Sequence, residues 1–292
     1  LNNKLNNKFN KFKESSFEIK EAGIGNYFGW QLDDKNGRFI LADGTVVHNT
    51  PEGGSIGIVK NLSYMTHVTI SSNSVLTQAS FSSLTTISDF YLRIALNTAL
   101  STVDFSVLSS IGTYLQISNN AFTNFSFPAL QSIGTYLNVV SETNLTSLSF
   151  PNLTTISSYV SINSNDSLQS IALNALTSLG SHILISGNAL TSFSASNLAT
   201  APSYIGITSE PNIETVNLGA LNSITGSLII ESGFGSNRTN QNYIIVSDNA
   251  NLNTFSLGAV ADADYIYVED NPNYTDVSAL NNVTSVDSYV RI

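Results

Sequence analysis

The sequence predicts an all-β chain: a small β unit near the N-terminus, then a long parallel β-solenoid. Three observations carry that prediction. A short pattern, an aromatic (in one copy a serine) followed by alternating apolar residues, occurs ten times from Tyr91 onward, mostly at steps of 22 to 24 residues. Apolar residues alternate with Ser, Thr and Asn in short runs, which is the period of a strand and not of a helix. The 292 residues include 42% hydrophobic side chains and no cysteine, so a packed core, and neither disulfides nor a thiolate metal site, must hold the fold.

Within the repeat, Tyr91, Tyr114, Tyr136, Tyr159, His182, Tyr204, Ser227, Tyr243, Tyr265 and Tyr289 each precede a strand such as Leu-Gln-Ile or Val-Ser-Ile. A second apolar pattern lies between strands, as in Leu145, Leu148, Phe150, Leu153 and Ile156. One repeat is too small to close its own core, so the copies must stack and bury these rows in one column. Stacked copies would pair as parallel strands about 4.8 Å apart. Corners such as Ser118-Asn119-Asn120 tolerate left-handed backbone and can stack from coil to coil. The step from Ser227 to Tyr243 is irregular and contains a polar stretch over residues 235–242.

Upstream, residues 1–16 are polar and low in complexity and read as a linker or remnant. Residues 17–49 form a compact β unit. Its strand candidates are residues 17–20, 27–32, 38–41 and 45–48, with turn signals at residues 33–37 and 42–44. The first residue is Leu, and the chain reads as a fragment lacking its true N-terminus. No run reaches the length of a membrane-spanning helix.

The formal charge of −10 is unevenly spread. Residues 1–49 carry seven basic and six acidic side chains, whereas residues 66–292 carry three basic and fourteen acidic ones. No lysine follows Lys60. Such a step points to segments of different origin, and the acidic repeat would repel a phosphate backbone, so it is not expected to bind nucleic acid.

Over residues 82–292 the repeat resembles leucine-rich and receptor-L-domain-like repeats of surface proteins. The resemblance implies right-handed parallel coils and a surface with a protein or glycan ligand. It does not choose between such ligands.

The most specific motif runs from Asn36 to Thr50, through Arg38-Phe39, Asp43-Gly44 and two valines to His48-Asn49-Thr50. It resembles the C-terminal splicing region of inteins, and Gly25-Asn-Tyr-Phe-Gly-Trp-Gln-Leu32 fits the stretch before it. The resemblance spans residues 17–50 and implies three catalytic residues. The Asn49 side-chain amide attacks its own main-chain carbonyl and cuts the bond to Thr50 as a succinimide forms. By the same resemblance His48 assists the departing amine as a proton donor. Thr50 supplies the hydroxyl nucleophile that would accept an upstream segment. No cofactor and no metal is implied. The other reading of these residues is a β-hairpin edge with an incidental polar end. No Thr-x-x-His motif or intein start precedes Asn49, and Gly37-Arg38 stands where many inteins have a histidine. The implied reaction is therefore cleavage after Asn49, with complete splicing requiring an N-terminal intein half and extein supplied as partners.

After the junction, Thr50-Pro-Glu-Gly-Gly-Ser-Ile-Gly-Ile-Val-Lys-Asn-Leu-Ser63 resembles a segment of the second-largest subunit of multisubunit RNA polymerases, and the likeness continues towards Ile70. The other reading is a Gly-rich loop before a strand. The two resemblances meet at the bond that intein chemistry would cut. They imply a polymerase-subunit precursor, cytoplasmic or in a virion, with other polymerase subunits as partners. The fragment is too short to polymerise RNA. The competing expectation is a surface or secreted binding solenoid with a relic head. The expected divisions are 1–16, 17–49, 50–70 and 71–292.

Other signals are weaker. Gly23-Ile-Gly25 and Gly53-Gly54 lack the context of nucleotide-binding loops. His67 and His182 sit in strand patterns and are read as structural. The Asn-x-Ser/Thr triplets at Asn144, Asn152, Asn237, Asn273 and Asn282 are expected by chance in so Asn-rich a chain. Asp262, Asp264, Glu269 and Asp270 read as a solvated face, not a calcium site.

Overall fold

The computed structural model describes residues 64–231 and 243–292, and the backbone of three short strands at Phe17–Ile19, Arg38–Ile40 and Val46–His48. The described chain is a parallel β-solenoid. Its one helical element among the described residues is a 3-10 turn at Val277–Leu280. The candidate strand at 27–32, the linker at 1–16 and most of the polymerase-like segment lie outside the described residues.

Each coil has three sides. One side is a 12-stranded parallel sheet that includes Val68–Ser71, Leu92–Ala95, Leu115–Ser118, Leu137–Val140 and Val160–Asn163 in sequence. Phe17–Ile19 adds a strand at its N-terminal edge, in parallel register with Val68–Ile70. The other two sides carry shorter strands, exemplified by Ser147–Ser149 and Thr155–Ile156.

The coil from Leu137 to Tyr159 shows why the sequence folds this way. Leu137 and Val139 point inward and are fully buried, while Asn138 and Val140 between them are half-buried on the outer face. Ser141 then adopts the left-handed region at φ 57°, turning the chain off the sheet. Leu145, Leu148, Phe150, Leu153 and Ile156 follow, all buried. They form the second pattern seen in the sequence, and it resolves into two short strands. Packing at about 25 cal/mol per Å² of apolar area drives the stacking. Phe81, Phe105, Phe127 and Phe150 occupy one row, with ring centroids 4.8, 5.8 and 5.6 Å apart. Three coils on from Phe127 the row holds Ala195, beside which Phe193 is also buried, so the coil keeps its large ring at the adjacent inward position.

Close approach between coils requires glycine at Gly112, Gly134 and Gly180. A Cβ at these sites would lie 1.9, 1.8 and 1.8 Å from the carbonyl oxygens of Ser88, Gly112 and Ser157 in the preceding coil. No side chain fits there without driving the coils apart.

The irregular step has a structural counterpart. Leu228–Glu231 and Tyr243–Ser247 are adjacent in the long sheet, in parallel register. On the third side, Thr215–Leu218 pairs directly with Thr254–Leu257. The long sheet therefore gains a strand that the third side lacks.

The left-handed corner also explains one unusual residue. Ser72, Asn119, Ser141, Ser164, Gly187 and Ser209 hold this conformation in other coils, but Leu96 holds it at φ 60° while half-exposed. Leucine gains nothing there and carries the left-handed penalty of about 1 kcal/mol. Leu96→Asn should raise stability by about 0.5–1 kcal/mol, read from the midpoint of urea unfolding.

Candidate functional site

Three regions concentrate polar or aromatic chemistry: the junction at residues 48–50, the aromatic column on the long sheet, and a polar ladder inside the corner.

At the junction, Arg38–Ile40 and Val46–His48 pair antiparallel, with Arg38 opposite His48, Phe39 opposite Val47 and Ile40 opposite Val46. His48 is the last residue of its strand. Asn49 and Thr50 lie outside the described residues, so the three candidate catalytic residues are not placed relative to one another.

The aromatic positions that mark each repeat form a continuous column. Tyr91, Tyr114, Tyr136, Tyr159, His182 and Tyr204 stack with centroids 4.6–5.0 Å apart and planes within 9° of parallel. His67 continues it less regularly, 5.5 Å from Tyr91 and tilted by 34°. Neighbouring rings cover each other's faces, so edges and hydroxyls, rather than flat faces, reach solvent. Burial raises the pKa values of Tyr114, Tyr136 and Tyr204, with neighbouring tyrosines adding to the effect at Tyr114 and Tyr136. Burial lowers that of His182. The column breaks where Ser227 replaces the aromatic and resumes with Tyr243 stacked on Tyr265 at 4.9 Å. At Tyr289 the ring turns, standing at 88° to Tyr265 and 73° to Tyr267.

Beside the column, the outer face of the long sheet carries Arg93, Gln116, Asn138, Ser161 and Leu184 in one row. No Lys or Arg occurs between Arg93 and Arg238, so this surface has few charges. Of the late carboxylates, Glu269 pairs with Arg291 at 2.9 Å. Among the described residues no group of three or more His or carboxylate side chains is arranged to hold a metal ion.

The third region was not singled out in the sequence. One residue after each left-handed corner, a polar side chain turns inward: Asn73, Asn97, Asn120, Glu142, Asn165, Asn188, Glu210 and, beyond the irregular coil, Asn249. Each asparagine amide donates to the oxygen of the next coil's residue, at 2.9 Å from Asn73 to Asn97, 2.9 Å from Asn97 to Asn120 and 2.8 Å from Asn165 to Asn188. The same amides donate backward to main-chain carbonyls, as from Asn97 to Ile70 and from Asn188 to Ile162. Buried polar groups so fully paired lock the register between coils. Aligning the repeats on their aromatic positions would have exposed this row, because each member lies six residues after its aromatic through Glu210.

No protein-family model, curated protein or solved structure matches the chain.

Proposed function

We propose that the N-terminal region carries the C-terminal half of an intein and cleaves the chain between Asn49 and Thr50. The observation that carries this reading is the ordered block from Asn36 to Thr50, whose two valines and His48 lead directly into Asn49. The antiparallel pairing of Arg38–Ile40 with Val46–His48 supports it, since such a hairpin would hold the scissile bond at the end of a strand. Asn49 supplies the attacking amide nitrogen, His48 the proton for the departing amine, and Thr50 the hydroxyl for an incoming acyl group. Positioning and proton transfer lower the barrier, and neither step requires a cofactor. The segment from Thr50 to Ser63 is then an extein from the second-largest RNA polymerase subunit, and complete splicing needs an N-terminal intein half supplied in trans. His48→Ala should slow release of the fragment beginning at Thr50 by about a hundredfold, the range of a general acid. Equal release rates in both proteins would remove His48 from the mechanism.

A second reading concerns the solenoid, favoured by its continuous outer sheet, mostly uncharged, beside the aromatic column. Such surfaces present many aligned contacts to an extended partner. In this reading the repeat is leucine-rich or receptor-L-like, works at a cell surface and takes a protein or glycan ligand. Placing arginine at both Asn138 and Ser161 would block the middle of the face without touching the core. Binding to an immobilised panel of neutral oligosaccharides should be lost in that variant with its circular dichroism unchanged. Retained binding would move the ligand site off this face.

A further inference from the structure

The polar ladder contains two glutamates where the other coils have asparagine, and they are not equivalent. Glu210 uses both carboxylate oxygens as acceptors. Its Oε1 receives the backbone N–H and side-chain amide of Asn188 at 2.9 and 2.7 Å, and its Oε2 receives the backbone N–H of Leu190 at 3.1 Å. Glu142 accepts only on Oε1, from the backbone N–H and side-chain amide of Asn120 at 3.1 and 2.8 Å. Its Oε2 is buried and has no hydrogen-bond partner. Its own backbone N–H donates to Asn165 Oδ1 at 2.9 Å.

The asparagines show which donor the equivalent positions supply. In Asn97, Asn120, Asn165 and Asn188 the side-chain nitrogen is a donor, reaching the carbonyls of Ile70, Ile94, Val139 and Ile162 in the preceding coil. The corresponding carbonyl for Glu142 belongs to Ile117, two residues before the left-handed corner at Asn119. A carboxylate offers that neighbourhood only acceptors. A neutral carboxylic acid has one donor and restores one of the two that each asparagine amide supplies.

We propose that Glu142 is a proton-operated latch in the ladder: as the neutral acid it supplies the donor that the asparagines direct at the preceding coil, and as a carboxylate it leaves its buried second oxygen without a partner. The charges around it do not oppose this. Glu142 is the one charged residue of its own coil from Leu137 to Tyr159, and the preceding coil from Leu115 to Tyr136 has none. The following coil contributes only exposed Asp166, at the turn beside Asn165, and the stacked His182, whose pKa burial lowers. Tyr136 and Tyr159 lie at the opposite end of the strand. Among the described residues no cation is paired with the Glu142 carboxyl. Burial accordingly pushes the Glu142 carboxyl up to about 7, against the lowering effect of the Asn120 hydrogen bonds. Because the pKa is higher folded than unfolded, the folded chain retains a proton that the unfolded chain releases. The resulting stability is complete below about 4.5, the ordinary value, and is lost as pH rises through about 7. The joint between the Asn120 coil and the Glu142 coil becomes a pH-sensitive joint of the column; burial raises the Glu210 carboxyl too, but there both oxygens already have donors.

The test is urea unfolding of the full chain at pH 5, 6, 7 and 8, for the wild type, Glu142→Gln and Glu210→Gln. Glutamine at 142 supplies the neutral donor permanently. The wild type should lose on the order of tenfold to a hundredfold in its folding equilibrium constant between pH 5 and pH 8. Glu142→Gln should remove most of that loss and be the more stable protein at pH 8. Glu210→Gln should be destabilised at every pH, because one of its amide hydrogens would confront the N–H of Leu190. A second measurement, the carbon-13 carboxyl titration of Glu142 in the wild type, should show a midpoint near neutrality. A midpoint below pH 5, a pH slope unchanged in Glu142→Gln, or a Glu142→Gln chain that fails to fold would each overturn the proposal.

Discussion

Gly134→Ala should destabilise the solenoid by about 3 kcal/mol or more, as large an effect as one added methyl group should have anywhere in the column. The Cβ would sit 1.8 Å from the carbonyl oxygen of Gly112, and the obstruction is backbone, which cannot swing aside. The Gly134 N–H also donates to Ile111 O at 2.9 Å, so relief of the clash would stretch that bond. Gly206→Ala is the matched control. Its nearest neighbour would be a flexible leucine methyl, Leu184 Cδ1, at 3.4 Å. That substitution should be neutral or slightly stabilising, since alanine costs less conformational entropy in a strand. Urea unfolding monitored by circular dichroism separates the two. Equal midpoints would show that the coils do not approach as closely as described.

Asn97→Leu should cost about 3 kcal/mol, although it replaces a buried polar side chain with an apolar one of similar size. The loss comes from what remains behind. The backbone N–H and amide of Asn73 would lose their acceptor, Asn97 Oδ1, at 3.1 and 2.9 Å. Ile70 O and Asn120 Oδ1 would lose a donor. Each buried group left unpaired costs about 1–3 kcal/mol, partly recovered by relaxation. Asn138→Leu, on the outer face of the same sheet, should change stability by less than about 0.5 kcal/mol. Because each coil contacts only its neighbours, the Asn97 variant should unfold first at its N-terminal coils, giving a broadened transition. A sharp, unshifted transition would mean that the ladder contributes little.

Much of this fold was legible in the sequence. The aromatic at each strand start, the alternation after it and the 22–24-residue step together specify stacked parallel coils, and the long sheet pairs Leu115 with Leu137 and Val160 with Ile183 in that register. The left-handed corner at Asn119 was readable from its Asn-rich sequence. The structure adds that Asn120, the next residue, is the one that turns inward. Glu142 and Glu210 escaped notice because a glutamate in a polar turn ordinarily faces water, and only coil-by-coil alignment places them beneath asparagines. The short step from Ser227 to Tyr243 was visible as a break in the spacing, but pairing of Thr215 with Thr254 depends on three-dimensional stacking that spacing alone does not convey. His182 was read as structural, and it stacks between Tyr159 and Tyr204. The junction residues are legible through their order along the chain. Their mutual geometry is a property of backbone beyond the described residues.

Intact-mass spectrometry of the purified full chain, incubated beside an Asn49→Ala variant, tests the proposed function most directly. Asparagine cyclisation adds no water. The wild type should yield one fragment ending at Asn49 and one beginning at Thr50, with masses that sum to that of the parent, while Asn49→Ala stays whole. A wild-type chain that remains intact on long incubation, indistinguishable from the variant, would contradict self-cleavage at this bond and leave the solenoid surface as the functional part of the chain.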